Sequence, residues 1–182
     1  AGILSRAQHP LAIALSADLV ATALVFAFSF GLRNSSTYDP YWSVVPPLIG
    51  VYFCVAPGSE PAQIERQMLA MLLVTLWAVR LTHNWARGWR GLDHEDWRYL
   101  DIRRTSGRLY WLVSFGSIHL LPTLIVFAGC LPLWAALATG DRPLGALDGL
   151  AAVVTLAGIG FEFFADNQLR RRAHGKGDRD VL

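Results

Sequence analysis

Arg80, His83, Arg87 and Arg90 follow one another at intervals of three, four and three residues, a spacing that a helix gathers on one face. Asn84 sits beside that stripe. Guanidinium groups arrayed in this way grip an anion through forked hydrogen bonds, and they also lie well against anionic lipid headgroups. The stripe by itself leaves both readings open. Four acids follow it, Asp93, Glu95, Asp96 and Asp101, interleaved with Arg98, Arg103 and Arg104. Carboxylates oppose adsorption to anionic lipid, so their presence points toward an ordered loop that holds some guanidinium groups in place for a ligand. Trp85, Trp89, Trp97 and Tyr99 suit stacking on a base, although interfacial aromatic belts use the same residues.

Two further clusters carry chemistry. Glu162, Asp166 and Arg170 recur every four residues and share a helix face. Glu162 lies just inside an apolar stretch, where an unpaired carboxylate is expensive and commonly functional. A salt bridge stapling this helix to the arginine-rich loop explains the same face, and both readings can hold together. In the run RNSSTYDPYWSVVPP, Asp39, Tyr38, Tyr41 and Trp42 cluster where a polar loop meets a proline-broken helix. Irregular backbone at membrane depth tends to line a cavity, and a turn with interfacial aromatics is the alternative. Asp18 and His119 are lone ionisable residues within apolar stretches, read as packed, hydrogen-bonded core groups.

The elements that position these residues are apolar spans. Of 182 residues 53% are hydrophobic and 16% charged, well below the roughly 25% charge of a soluble domain. Residues 109–140 carry no charge and residues 11–32 carry only Asp18. Both runs exceed the roughly 18 apolar residues that mark a span. The expected fold is all-α and polytopic, with about five transmembrane helices near 11–32, 41–57, 62–83, 109–138 and 144–165, in one domain. The second is expected to be kinked or broken at Pro46-Pro47. The fourth is expected to tilt or kink at Pro122, Gly129 and Pro132. With alternating sides, thirteen of the sixteen basic residues fall together, which places the N-terminus outside and the C-terminus in the cytoplasm.

This composition excludes a disordered chain, a disulfide-stapled miniprotein and an ordinary cytosolic domain. Fifteen of the basic residues are arginines, most of them bordering spans, which argues against nucleic-acid binding. Cys54 and Cys130 lie singly in apolar stretches and read as small packing residues. The five histidines show no metal-ligand spacing, so no metal site is expected. The chain starts without methionine, which suggests processing or a missing upstream part, and 11–32 reads as a retained helix rather than a signal peptide.

Four motifs in order resemble a known family. They are N-S-S-x-x-D-x-x-W (Asn34 to Trp42), W-x-x-R-L-T-x-N-W-x-R-G-W (Trp77 to Trp89), H-E-D-W-R-Y (His94 to Tyr99) and E-x-x-A-D-x-Q-L (Glu162 to Leu169). Together they look like the bacterial branch of the steroid 5-alpha-reductase-like membrane proteins, over nearly the whole chain from Asn34. The resemblance implies a bacterial inner-membrane enzyme that takes NADPH between its helices and reduces a carbon–carbon double bond conjugated to a ketone in a lipid-like substrate. It assigns Arg80, Asn84, Arg87, Asp96, Arg98 and Tyr99 to cofactor contacts, with Glu162, Asp166 and Arg170 on the cofactor helix. Asp39, Tyr41 and Trp42 would face the substrate cavity as catalytic residues.

The family continues beyond the A-D-x-Q-L helix into arginine–proline and asparagine–tyrosine elements. The present sequence ends before them, so it reads as a truncated member not expected to turn over substrate. Two other readings compete: an enzyme like the isoprenylcysteine methyltransferases, using S-adenosylmethionine, and a non-catalytic membrane scaffold that binds lipid through its basic face. Titration with the two cofactors separates the enzymes.

Overall fold

The computed structural model describes residues 9–56, 63–139 and 143–175, with side chains to residue 172. The expected span ends at 57 and 62, and the basic residues Arg6, Arg142, Lys176 and Arg179, lie outside the described residues. Every regular element among the described residues is helical.

Helix α1 (Pro10–Leu32) starts with Pro10 behind the His9 side chain, whose Nδ1 accepts from the Leu11 N–H at 3.2 Å. Its end is set by Arg33 in the left-handed region at φ 54°, where the freed Asn34 N–H returns to the Ser29 carbonyl at 3.0 Å. The faces of α1 are inverted relative to a water-soluble helix. Ala14, Asp18, Thr22 and Ser29 point inward, while Val20, Leu24 and Phe28 are exposed. A hydrocarbon solvent explains this pattern, since polar groups must then find partners inside the protein.

A 3₁₀ turn (Ser35–Tyr38), capped by the Asn34 side chain on the Ser36 N–H at 2.9 Å, leads into α2 (Tyr41–Val55). Both Pro46 and Pro47 are accommodated within α2. Helix α3 (Ile64–Gly88) crosses close to α2 at Gly50, where a Cβ would stand 2.7 Å from the Met71 sulfur. Helix α4 (Trp97–Ser106) begins on Asp96, which accepts from the Arg98 N–H, and turns through Gly107 at φ 53°.

The chain then runs through α5 (Tyr110–Val113), a π-helical segment (Ser114–Leu120) and α6 (Leu121–Ala138) without a break. The π segment is explained by Pro122. Proline cannot donate to the carbonyl four residues back, and one wide turn re-routes the ladder ahead of it. Last comes α7 (Ala146–Gly175), packed along α3.

The apolar core lies where α1, α2 and α6 meet, with Ala14, Ile49, Phe53, Phe127, Cys130 and Leu137 buried together. Cys130 belongs to this cluster and Cys54 packs against it; both are free thiols.

Among the described residues three helices are long and apolar enough to cross a membrane: Pro10–Leu32, Trp97–Ala138 and Ala146–Arg172. The two other expected spans differ in kind. Fifteen-residue α2 rises only about 22 Å, short of a roughly 30 Å hydrocarbon core. With 25 residues, α3 is long enough, but its last turns carry the arginine stripe and it is less apolar. It ends at Gly88 with Trp89 as its cap, so Arg90 drops out of the expected stripe. The last helix overruns its expected end at residue 165 by ten residues and carries Glu162, Asp166 and Arg170 on one continuous rod.

Candidate functional site

A cavity of about 290 Å³ opens at the arginine-rich end of the bundle. It is lined by Asp39 and Trp42 from the start of α2, Asn84 and Trp85 from α3, Asp96, Arg98 and Tyr99 from the start of α4, and Arg170 from α7. Four segments of the chain are thereby brought together.

The walls are built by a clasp between the 34–36 turn and the 92–96 loop. The Asn34 amide donates to the carbonyls of Leu92 and His94 at 2.7 and 2.9 Å. The Ser35 N–H donates to Glu95 Oε1 at 2.7 Å, and the Asp96 N–H donates to Ser36 Oγ at 2.9 Å. Glu95 also accepts from the Tyr110 hydroxyl at 3.1 Å and from Arg103 at 2.9 Å. The N-S-S run is thus a structural clasp, and Glu95 is its hub. In the sequence Glu95 is one of the four acids interleaved with arginines and is not among the expected site residues; its pairing with Arg103 is the kind of contact that orders such a loop.

Inside the cavity the Tyr99 hydroxyl donates a hydrogen bond to Asp39. Burial pushes the Asp39 carboxyl up to about 6, with the Tyr99 hydrogen bond and the Arg98 charge pulling the other way. Asp96 behaves oppositely. Burial disfavours its charge, but the Arg98 guanidinium holds its carboxyl below the usual carboxylate range. That contact is a fork, Nε to Oδ1 and Nη2 to Oδ2, both at 2.8 Å. Asp39 therefore exchanges its proton near pH 6, where its neighbour Asp96 is already ionised.

Arg170 lines both this cavity and an adjoining open cleft of about 610 Å³, whose other lining residues are Arg87, Asn167 and Arg171. Asn84 fixes Arg170, accepting through its side-chain oxygen and its backbone carbonyl at 3.0 and 2.6 Å. Arg87 donates to Asn167 at 3.0 Å. The rings of Trp85 and Trp89 lie 5.0 Å apart beside the cavity. Guanidinium groups next to indole faces suit a ligand that carries both phosphate and a flat ring. Among the described residues no cluster of three His, Cys, Asp or Glu side chains is placed to hold a metal ion.

Some expected site residues lie elsewhere. Arg80, Glu162 and Asp166 do not line the cavity. Arg80 pairs with Glu162 at 2.6 Å and with Asp166 at 2.7 Å, clamping α7 to α3. The stapling reading of the Glu162 face thus describes these contacts, which run between α7 and α3. Tyr41 also parts from its neighbours. Its hydroxyl reaches Asp18 Oδ1 at 2.5 Å, in a different hollow from Asp39 and Trp42. Asp18 is buried, as is His119, whose Nε2 lies 2.9 Å from Ser29 Oγ.

The profile of the family described as "Protein of unknown function (DUF1295)" matches residues 25–177. The chain belongs to that family. As a DUF1295 protein it is similar to the uncharacterized protein C594.04c of Schizosaccharomyces pombe (strain 972), with 26% identity over 163 residues. That alignment covers 88% of this chain and 47% of the relative, so the chain spans about half the length of the curated relative it matches. No solved structure matches this DUF1295 chain.

Proposed function

We propose that this DUF1295 chain is the membrane-embedded part of an NADPH-dependent reductase acting on a carbon–carbon double bond conjugated to a ketone in a lipid-like substrate. One observation carries the reading: a half-buried, hydrogen-bonded Asp39–Tyr99 pair shares a cavity with arginines and tryptophans drawn from four segments. The resemblance to steroid 5-alpha-reductase-like proteins supports the same assignment.

In this reading Asp39 holds a proton at its carboxyl and directs it, with Tyr99, at the ketone oxygen of the substrate. Trp42 forms the wall against which the substrate rests. Arg87 and Arg170, with Asn84 setting the pose of Arg170, hold the phosphates, and Asp96 keeps the Arg98 guanidinium in one plane at the rim. The clamp of Arg80 on Glu162 and Asp166 keeps α7, and with it Arg170, at the cavity mouth. The nicotinamide of NADPH, when bound, supplies the hydride for the β carbon. The arginine-lined cleft favours a phosphate-bearing cofactor over S-adenosylmethionine, which carries a sulfonium cation and no phosphate. The same reading places the protein in the bacterial inner membrane, the N-terminus outside and the arginine-rich end in the cytoplasm, with reduction performed by the full-length protein.

Calorimetric titration of the full-length protein in detergent with NADPH and with S-adenosylmethionine tests the proposal. Micromolar binding of NADPH alone is expected. Binding of S-adenosylmethionine alone moves the assignment to a methyltransferase, and binding of neither moves it to a scaffold.

A further inference from the structure

Asp18 is a carboxyl buried within apolar α1, 5% exposed, and it does not line the arginine-rich cavity. An acid at such a place needs a partner, and α2 supplies one. The Tyr41 hydroxyl donates to Asp18 Oδ1 at 2.5 Å and to its backbone carbonyl at 3.0 Å. The Tyr41 oxygen in turn accepts from Thr22 Oγ1 at 3.5 Å. Thr22 Oγ1 lies 2.8 Å from Thr123 Oγ1 on α6, and Thr123 Oγ1 lies 2.8 Å from the Tyr38 hydroxyl.

These five side chains make one line of hydrogen bonds with one direction. Each hydroxyl has a single proton to donate. Tyr41 directs its proton at Asp18 and Thr22 directs its proton at Tyr41, so Thr123 donates to Thr22 and Tyr38 donates to Thr123. Asp18 is the acceptor on which the line ends. Thr22, Thr123 and Tyr38 are buried, and hydrogen bonds aligned in a low-dielectric interior strengthen one another.

The line holds both tyrosines that flank Asp39-Pro40. Tyr38 and Tyr41 are three residues apart in a turn where Asp39 and Pro40 have helical dihedrals, so their rings share a face, with centroids 5.4 Å apart. Asp39 leaves the same turn toward the cavity, where it accepts from Tyr99. The turn is gripped from α1 and α6 on one side and presents its carboxyl on the other. Pro40 fixes one of the few torsions that could absorb a movement between Tyr41 and Asp39.

We infer that Tyr38 and Tyr41, tied through Thr123 and Thr22 to Asp18, are positioning residues that hold the Asp39 carboxyl against the Tyr99 hydroxyl at the cavity wall. The inference deepens the reductase reading, on which it rests for the task given to Asp39. It gives Tyr41 a part in the site although its side chain faces away from the cavity.

The test follows Asp39 itself and needs no cofactor. Full-length protein in phosphatidylcholine nanodiscs is titrated from acid to neutral pH while infrared difference spectra record the protonated-carboxyl stretch, with Asp39→Asn identifying the band. The native band is expected to titrate at about 6. Tyr41→Phe keeps the ring and removes the hydroxyl, so Asp39 should relax toward water and its midpoint should fall by about one pH unit toward the ordinary 3.8. Arg98 and Asp96 on α4, Arg90 and His94 on the loop before it and Arg170 on α7 line the same cavity and are unchanged, so the movement reports position rather than lost charge. Asp18→Asn keeps an oxygen for Tyr41 and should leave the midpoint in place. Thr123→Val cuts the line between Tyr38 and Thr22, should lower the midpoint as well, and replaces Tyr41→Phe if that variant does not fold. Gln67→Ala removes a 2.7 Å bond to the Leu137 carbonyl at the opposite end of α3, and should lower the thermal midpoint without moving the Asp39 band. An unchanged or higher Asp39 midpoint in folded Tyr41→Phe, or in Thr123→Val in its place, overturns the inference. A fall of the same size in Gln67→Ala overturns it too, because general loosening would then explain the shift. Absence of NADPH binding to the native protein would instead remove the reductase reading and leave the Asp39 titration standing.

Discussion

The Tyr99 hydroxyl donates to Asp39 across a sequence separation of 60 residues, closing the first turn of α4 onto the loop that precedes α2. The bond joins two motifs that look unrelated in the chain. It also puts a carboxyl that titrates at about 6 against a cavity wall of aromatic rings and guanidinium groups.

A pH dependence follows from that carboxyl. Its folded pKa of about 6 lies above the ordinary aspartate value of 3.8, so the native state binds this proton more tightly than the unfolded chain does. The Asp39 contribution to stability is therefore complete below pH 4 and is lost as pH rises through 6. Thermal unfolding in detergent across that window should show a midpoint falling with pH, and Asp39→Asn should flatten this component of the slope. An identical slope in the variant would assign the titration to another group.

The clamp of α7 on α3 is expected to depend unequally on its members. Glu162 is 52% exposed and Asp166 remains when it is lost, so Glu162→Gln should cost under about 1 kcal/mol. Arg80 is only 10% exposed and serves both carboxylates, so Arg80→Ala should cost about 3 kcal/mol. Denaturant unfolding of the two variants measures the difference. Equal effects would mean that the two pairs do not act as one unit.

Asn34 should be the most sensitive residue of the clasp. It is 2% exposed, makes two side-chain hydrogen bonds to the 92–94 loop and caps the 3₁₀ turn. Asn34→Ala should lower stability by about 2 kcal/mol by removing the cap of the 3₁₀ turn and two hydrogen bonds to the 92–94 loop. Asn34→Asp keeps the cap but lacks the amide donors, and should not rescue. Tryptophan fluorescence of the neighbouring Trp97 and the unfolding midpoint report the outcome.

The arginines should separate binding from folding. Arg87 is exposed and donates to Asn167, so Arg87→Ala should weaken NADPH binding about five- to tenfold with no shift in the thermal midpoint. Arg98→Lys loses the fork to Asp96 and should behave like Arg98→Ala rather than like the native protein. Titration of the variants with NADPH decides, and unchanged affinity in a folded Arg87→Ala would remove it from the phosphate contacts.

Much of the site was legible before the fold. Of the stripe Arg80, His83, Arg87 and Arg90, the first three fall on α3 with Asn84 beside them, and Glu162, Asp166 and Arg170 recur every four residues along α7. Local periodicity carries such information because a helix converts spacing directly into direction. Arg90 was lost from the stripe because helix ends depend on capping, and the chain leaves the helix at Trp89. The partnership of Asp18 with Tyr41 was invisible, since nothing local links residues 23 positions apart on different helices.

The apolar runs and the concentration of arginine at one end determine by themselves that this is an all-helical membrane protein with a charged cap. Solvent preference and backbone hydrogen bonding act on each segment independently, so composition suffices for that much. Which arginines are spent on structure and which face a cavity was decided only by tertiary packing. Arg80 and Arg103 look like Arg87 in the sequence, yet the first clamps α7 and the second anchors Glu95. A guanidinium group joins whichever carboxylate the fold brings within reach, and that distance exists only once the helices are assembled.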